Sequence, residues 1–300
     1  VEHVIGTPNP ICALKNLEVV DLSSNFFSGG VSDTIGSLKN LEQLFLSNNQ
    51  LTGSIPASLS SLRQLAVLCL DGNSFSGELP CGISSFPKLT VLALQGNNLS
   101  GHVADLDGLT SLRTLELSSN NFAGEPPPLY TLSALRVLSW KGPGHGKGLS
   151  GGLQTVLPSK ISGDAMKLVR LDLSSHALSG DIPLGLRALP CLEASTLTFF
   201  QHSLHGQLPD WLGDLGFLTH VDLADNLLEG SVPASLAGLS RLEALFLRHN
   251  RLDGVLPPAL VAVLLSGRIM KFSFDGYRSG TRRDTVLEQH VSPTSNCTAQ

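Results

Sequence analysis

The histidines are the first residues of this chain that could do chemistry. His145 lies in a glycine-rich run, and His176 and His202 occupy equivalent places in two successive stretches of sequence. An imidazole can exchange a proton near neutrality or bind a metal ion. Its one donor and one acceptor can also replace an asparagine amide in a turn, which is the favoured interpretation of His176 and His202. His145 is interpreted as a solvated loop residue.

No other group of residues indicates catalysis. The run Trp140-Lys-Gly-Pro-Gly-His-Gly-Lys-Gly148 contains Gly-Lys, but Gly148 stands where a phosphate-binding P-loop requires serine or threonine. The sequence also lacks a nucleophile–base pair, a carboxylate pair or a metal cluster at meaningful spacing. We therefore expect no enzyme, no catalytic residue, no metal and no cofactor. The cysteines likewise lack metal-ligand spacing, and they are Cys12, Cys69, Cys81, Cys191 and Cys297.

An asparagine that recurs every 24 or 23 residues is the strongest signal in the chain. The surrounding text is nearly constant, and its clearest copy is Leu41-x-x-Leu44-x-Leu46-x-x-Asn49-x-Leu51-x-Gly53-x-Ile55-Pro56. A fixed period of this length predicts a solenoid of stacked coils. The recurring residues, which we expect to form a structural ladder, are Asn25, Asn49, Asn73, Asn97, Asn120, Asn226 and Asn250.

Each part of the repeated phrase predicts a local structure. The leucines of Leu-x-x-Leu-x-Leu alternate as in a short strand, so stacked copies would form a parallel sheet. The asparagine follows where the chain leaves the strand, and its amide can serve backbone donors and acceptors in adjacent coils. The glycine permits a tight path, Ile-Pro suits an extended segment, and the residues after it suit one helical turn.

The phrase Ser-x-Asn-x-Leu-x-Gly-x-Ile-Pro-x-x-Leu resembles the plant-type class of leucine-rich repeats over roughly residues 8–262. The resemblance implies an α/β repeat solenoid, a right-handed superhelix with a concave parallel β-sheet and about ten repeats of 23–24 residues. Such arrays commonly form the ectodomains of plant receptor-like kinases and receptor-like proteins, so an extracellular or cell-surface location is expected. The family's Trp-containing N-terminal cap and its paired terminal cysteines are missing, which favours a fragment or a divergent member.

The array has predicted boundaries and one irregular region. We assign 1–13 to a partial N-terminal repeat, 14–262 to the array, 263–274 to a partial closing repeat and 275–300 to a polar C-terminal cap or disordered tail. The repeat 132–164 is expanded, and the unit 189–214 has two extra residues. The loop 141–148 resembles in its location the island that some plant receptors of this class use in ligand binding. The alternative is a loop that drifted without consequence.

Charge and hydropathy limit the classes of partner. The net charge is −5 and the pI is about 6, whereas nucleic acids and anionic membranes attract basic proteins. The longest uncharged apolar stretch, 259–265, is too short to span a bilayer. We therefore expect neither a nucleic-acid partner nor a membrane span in this chain.

Residues between and after the strand leucines are expected on the concave face. In the first units they are small or mixed, as Val67 and Ala93 show, and in the later units they become charged and aromatic. Exposed aromatic residues beside arginine are typical of interface hot spots, although they can also be ordinary solvated strand residues. The predicted binding residues, called the concave site below, are Arg170, Asp172, Thr198, Phe200, His220, Asp222, Phe246, Arg248 and His249.

The functional prediction is a non-catalytic recognition module for a protein or peptide ligand or a co-receptor, as in the ectodomain of a plant-type receptor-like protein or kinase. One alternative is a soluble inhibitor or defence protein that resembles the polygalacturonase inhibitors. Another is a structural scaffold in a larger assembly. Two Asn-x-Ser/Thr sequons mark Asn98 and Asn296 as possible glycosylation sites, about as many as chance provides.

Overall fold

The computed structural model describes residues 10–103, 106–144, 148–157, 168–189, 195–216, 218–253, 255–275, 277–278 and 281–282. His145, Asn296, Cys191 and Cys297, which the sequence analysis named, lie outside these residues. None of the described helices is long and apolar enough to cross a membrane.

The main feature is one parallel sheet of eleven strands, each hydrogen-bonded to the next one along the chain. The predicted solenoid with its concave parallel sheet is confirmed. With strands numbered in chain order, this sheet contains β1 (Val19–Asp21), β3 (Gln43–Phe45), β5 (Val67–Cys69), β7 (Val91–Ala93), β9 (Thr114–Glu116), β11 (Val137–Ser139), β13 (Arg170–Asp172), β15 (Ser195–Thr198), β17 (Leu218–Asp222), β19 (Ala244–Phe246) and β21 (Lys271–Ser273).

Shorter strands follow the asparagine turns and pair in parallel with their counterparts in the neighbouring coils. They form a second layer of small sheets, interrupted at the expanded repeat. These strands are β2 (Ser28–Gly29), β4 (Gln50–Gly53), β6 (Ser74–Gly77), β8 (Asn98–Gly101), β10 (Asn121–Phe122), β12 (Ser150–Gly152), β14 (Ala177–Gly180), β16 (Ser203–Leu204), β18 (Glu229–Gly230) and β20 (Arg251–Leu252).

Single helical turns close most of the coils. Prolines of the repeated phrase, such as Pro56 and Pro233, stand at the N-caps in extended conformation, where a missing N–H does no harm. The 3₁₀ helices are η1 (Pro10–Ala13), η2 (Asp33–Ser37), η3 (Ala57–Ser61), η4 (Ile83–Ser85), η5 (Leu129–Thr131), η6 (Leu184–Ala188), η7 (Asp210–Asp214) and η8 (Ala234–Gly238), and the α-helices are α1 (Leu153–Val156) and α2 (Pro258–Leu265).

The core is a continuous column of leucines between the strands and the helical turns. The central residues of the main-sheet strands, for example Leu68, Leu115 and Leu171, are fully buried. Burying each such side chain contributes roughly 1.5–3 kcal/mol. Because the leucines recur in every coil, this contribution is spread along the whole array.

The C-terminal part departs from the simple repeat. Helix α2 runs across residue 262, the expected end of the array, and β21 then pairs with β19 as an eleventh main-sheet strand. Beyond it, β22 (Tyr277–Arg278) and β23 (Thr281–Arg282) form a short antiparallel pair. The predicted domain boundaries stay predictions.

The expanded repeat keeps the register of the main sheet. Val137 in β11 pairs with Arg170 in β13 although the two are 33 positions apart. Trp140, which begins the glycine-rich run, occupies a leucine slot and is fully buried. It packs edge-on against Phe122 and His176 with ring centroids 6.0 and 6.1 Å away. The extra length therefore lies outside the strands.

Candidate functional site

The strand register brings the concave site together on one face. Asp172 pairs with Thr198, Thr198 with Asp222, and Asp222 with Phe246, so these four side chains form one row across β13, β15, β17 and β19. All four are partly exposed, whereas the alternate residues such as Val221 point into the core. Arg170 is exposed at the start of β13.

Each aspartate of this row accepts hydrogen bonds from the turn that follows it. Asp172 Oδ1 accepts hydrogen bonds from the backbone N–H of Ser174 at 3.0 Å and from its hydroxyl at 2.7 Å. Asp222 Oδ1 accepts one from the N–H of Ala224 at 3.1 Å. Burial raises the pKa of Asp222, opposed by that hydrogen bond and by the charge of Arg248. A ligand cation beside Asp222 would therefore meet a carboxylate with little hydration.

The remaining site residues lie at the ends of the strands. Phe200 is half-buried just after β15, and Arg248 is exposed just after β19. His249 Nδ1 lies 2.9 Å from Asp225 Oδ1, and its backbone N–H donates to Asp275. His220 Nδ1 lies 3.0 Å from the hydroxyl of Thr219. His249 is thus held by its neighbours, whereas Phe200 and Arg248 present free surface.

The first coils of the same face differ in chemistry. Cys69 is partly buried in β5, and its pKa is raised to about 11 by burial, followed by the negative charges of Asp71, Glu116 and Asp21. A thiol with this pKa stays protonated and is a poor nucleophile. The sequence analysis did not anticipate that three acids of the first coils, Asp21, Asp71 and Glu116, act on this thiol.

The recurring asparagines join adjacent coils. Asn97 Oδ1 accepts from the N–H of Phe75 at 2.9 Å, and its Nδ2 donates at 3.0 Å to the carbonyls of Leu70 and Leu94. The same pattern of bonds holds at Asn49, Asn73, Asn120, Asn226 and Asn250. Among the described residues, Asn25 bonds only to its own turn.

Two imidazoles stand in the ladder between Asn120 and Asn226. His176 Nδ1 accepts from the N–H of Leu149 at 3.0 Å, and its Nε2 faces the carbonyl of Trp140 at 2.7 Å, which reproduces the bonds of the amide. His202 stacks on it with centroids 6.2 Å apart. Burial lowers the pKa of both to about 4, opposed chiefly by the Trp140 carbonyl at His176 and the His176 carbonyl at His202. Both are neutral core residues.

Other candidates give no second site. Within the described ranges, no group of three or more His, Cys, Asp or Glu side chains could hold a metal ion. Asn98 is exposed in β8, so its glycosylation remains a prediction. An open depression of about 600 Å³ is lined by second-layer residues, including Gln154, Asp181 and His205, and by none of the concave site.

One set of exposed charges escaped the sequence analysis. It considered strand residues but not the position immediately before each strand, where Glu18, Glu42, Arg113 and Arg136 lie exposed. Aligning the residue after the first leucine of each repeat would have shown their common position. Their side-by-side placement depends on the register of the sheet.

Sequence profiles support the repeat assignment. The leucine-rich repeat family matches residues 15–75, and a second leucine-rich repeat profile matches 111–132 and 241–262. No curated protein matches the chain in sequence. Many solved structures are similar to it in fold, and the chain spans about a third to less than half the length of the first of them.

Three solved structures illustrate the similarity. The ectodomain of the receptor kinase GASSHO1/SCHENGEN3 from Arabidopsis thaliana, in complex with CASPARIAN STRIP INTEGRITY FACTOR 2, is 32% identical with a TM-score of 0.77, over 85% of this chain and 30% of that one. The Arabidopsis HAESA ectodomain, in complex with an IDA peptide hormone, is 30% identical with a TM-score of 0.74, over 89% of this chain and 44% of that one. A plant ice-binding protein is 25% identical with a TM-score of 0.61, over 79% of this chain and 74% of that one.

The first neighbour is in complex with CASPARIAN STRIP INTEGRITY FACTOR 2, the second with a peptide hormone, and the third is an ice-binding protein, so the fold by itself does not select a ligand. What the profiles, the eleven-strand sheet and the neighbours share is the coil itself, with its strand, asparagine turn and Ile-Pro segment. The chain is therefore a leucine-rich repeat protein of the plant type, with the solenoid fold of plant receptor-kinase ectodomains.

Proposed function

We propose that the chain is a recognition module that binds a protein or peptide ligand on its concave sheet between β13 and β19. It would serve as part of the extracellular ligand-binding region of a plant-type receptor, with a co-receptor as a second partner. The neighbouring receptor-kinase ectodomains, one of them in complex with a peptide hormone, support this function.

The observation that carries the proposal is the row Asp172, Thr198, Asp222 and Phe246, with Arg248 beside it. Aromatic residues and arginine contribute most to binding where they can be desolvated. The row lies on a sheet whose every strand is hydrogen-bonded to its neighbours, so little conformational entropy is lost on binding. A rigid face of this kind suits an extended ligand that lies across the strands.

The test is the loss of peptide binding on truncation of this row. Peptides are selected from a random displayed library on the wild-type chain, and their affinities are measured for Phe246→Ala and Arg248→Ala. We expect each variant to weaken binding about tenfold, since hot-spot truncations cost more than about 1 kcal/mol.

Matched controls lie outside the main sheet. Phe26 is highly exposed, and Arg251 is exposed on β20 of the same coil as Arg248. Phe26→Ala and Arg251→Ala should leave the affinities unchanged. Selected peptides that bind Phe246→Ala and Arg248→Ala as tightly as the wild type would refute the proposed groove.

A further inference from the structure

A continuous row of residues runs along the edge of the concave sheet where the strands begin. In six successive steps, the N–H of one residue donates to the carbonyl of its counterpart in the preceding coil, at 2.7–2.8 Å. We call it the strand-entry row, and in the order of the coils it consists of Glu18, Glu42, Ala66, Thr90, Arg113, Arg136 and Val169.

The charges of this row are separated by sign. Glu18 and Glu42 are adjacent exposed acids at one end. Arg113 and Arg136 are adjacent exposed arginines further along, and the exposed Arg170 follows, with its N–H bonded to the Arg136 carbonyl at 3.0 Å. Two uncharged residues, Ala66 and Thr90, lie between the blocks.

Within the described part of the chain, these charged side chains form no ion pairs. The ion pairs found there join Arg187 to Asp214, His205 to Asp181 and His249 to Asp225, and none involves the row. The nearest acids on the arginine strands, Glu116 and Asp172, lie two or more residues further along β9 and β13, roughly 7 Å at the rise of a strand. Asp172 is also bonded to Ser174.

We propose that the strand-entry row binds an extended peptide lying across the strands, with a basic segment over Glu18 and Glu42 and an acidic segment over Arg113, Arg136 and Arg170. The proposal rests on the proposed function and adds the charge pattern of its ligand. Arginine suits the acidic segment because its planar fork pairs with carboxylates through two hydrogen bonds.

The register sets the spacing of the two segments. Glu42 and Arg113 are separated by three steps from strand to strand, about 14 Å at roughly 4.8 Å a step. An extended peptide covers that distance with about four residues. Single exposed ion pairs are weak, so both blocks must engage together for useful affinity. Four residue-to-residue steps leave three residues between their ends, so the ligand chemistry is a basic block and an acidic block with about three neutral residues between them.

The test uses two labelled peptides of equal composition and fluorescence anisotropy at low ionic strength. One is Lys-Lys-Gly-Ser-Gly-Glu-Glu-Glu, measured also in reversed order because the charges do not fix its direction. The other alternates the same charged residues along its length. We expect the block peptide, in one direction, to bind at least tenfold more tightly than the alternating peptide, and to lose this preference in high salt.

The variants Glu18→Gln/Glu42→Gln and Arg113→Gln/Arg136→Gln should each remove that preference. The control Glu229→Gln/Arg251→Gln neutralises an exposed pair on the second layer, where these two residues face each other across β18 and β20, and should keep it. Circular dichroism checks that each variant is folded. Arg170 stays unchanged because it also belongs to the concave site.

Equal binding of the block and alternating peptides would overturn the inference. So would a loss in the arginine variant alone, since the arginines would then be a simple anion site. Phe246→Ala, measured in parallel on library-selected peptides, separates the two proposals. Selected peptides that depend on Phe246 but not on the strand-entry row refute only this inference, whereas peptides that ignore Phe246 refute the proposed groove.

Discussion

A single amide side chain joins neighbouring coils in this protein, and its surroundings determine how much it contributes. Asn97 is 6% exposed and bonds to the backbone of two coils, whereas Asn25 is exposed and bonds to its own turn. The sequence shows the two as equivalent members of one period. The structure distinguishes them by burial and by the hydrogen bonds that each makes among the described residues.

This difference predicts unequal effects of the same substitution. Asn97→Ala leaves the N–H of Phe75 without its partner in a buried place, which costs about 1–3 kcal/mol. It also removes one of the two amide donors to the carbonyl of Leu70, which keeps its bond from Asn73 Nδ2. We expect a loss of about 3 kcal/mol in the free energy of unfolding, measured in urea. Asn25→Ala should cost less than about 1 kcal/mol. Equal losses would show that burial does not control the ladder.

His176 and His202 predict a dependence of stability on pH. Their folded pKa values of about 4 lie below the usual histidine pKa of 6.5, so the unfolded chain binds more protons between these values. Their contribution is complete above about pH 6.5 and is lost as the pH falls towards 4. At about 1.4 kcal/mol for each pH unit between the two values, the loss should be on the order of 2–3 kcal/mol for each ring at pH 4.5.

The measurement compares urea unfolding at pH 7 and pH 4.5. His176→Asn should weaken the dependence on pH because asparagine can fill the slot without titrating, while His102→Asn, at an exposed position, should leave it unchanged. An unaltered dependence in His176→Asn would mean that other groups cause the acid sensitivity.

At the scale of elements, the 3₁₀ helices of adjacent coils approach so closely that some positions admit only glycine. A Cβ added to Gly213 in η7 would overlap the carbonyl oxygen of Ser235 in η8. A Cβ added to Gly216, just after the same helix, would meet nothing within 4 Å. Backbone contact between elements, and not turn conformation, therefore requires the glycine in η7.

Gly213→Ala should destabilise the chain by about 1–3 kcal/mol through overpacking. Gly216→Ala should change stability by less than about 0.5 kcal/mol or raise it slightly, because alanine restricts the unfolded chain. Thermal unfolding of the two variants measures the difference. Similar melting temperatures would indicate that η7 and η8 can move apart at little cost.

The irregular repeat shows where prediction from sequence succeeds and fails at this scale. The period predicted the strands of the main sheet because leucine spacing follows strand geometry directly. It did not predict that β11 and β13 stay in register across the expanded repeat, since that depends on where the extra residues leave the coil. Trp140 looked like part of a loop although it continues the leucine column.

At the scale of the whole molecule, the net charge does not show how the charged residues are distributed over the surface. A net charge of −5 gives no sign that Arg113, Arg136 and Arg170 lie side by side, because they are 23 and 34 positions apart in the sequence. The common row of Asp172, Thr198, Asp222 and Phe246 was predictable because these residues stand within the strand phrase, whereas the role of the concave site in binding stays a prediction. The strand-entry row could be identified only from the structure, because the structure shows which of the described exposed side chains are neighbours without ion pairs.

Each coil adds one strand to the main sheet and therefore one roughly constant increment of length between contact points in different coils. The extra residues of the expanded repeat fall outside the sheet, whereas the register of β15 on β17 shifts once, between Ser195 and Thr196. Gaining or losing a whole coil would change the length of the proposed ligand that fits the array, without changing the residues that bind its two ends. A leucine-rich array can thus be matched to a partner of different length by a change in the number of coils, with its binding residues unchanged.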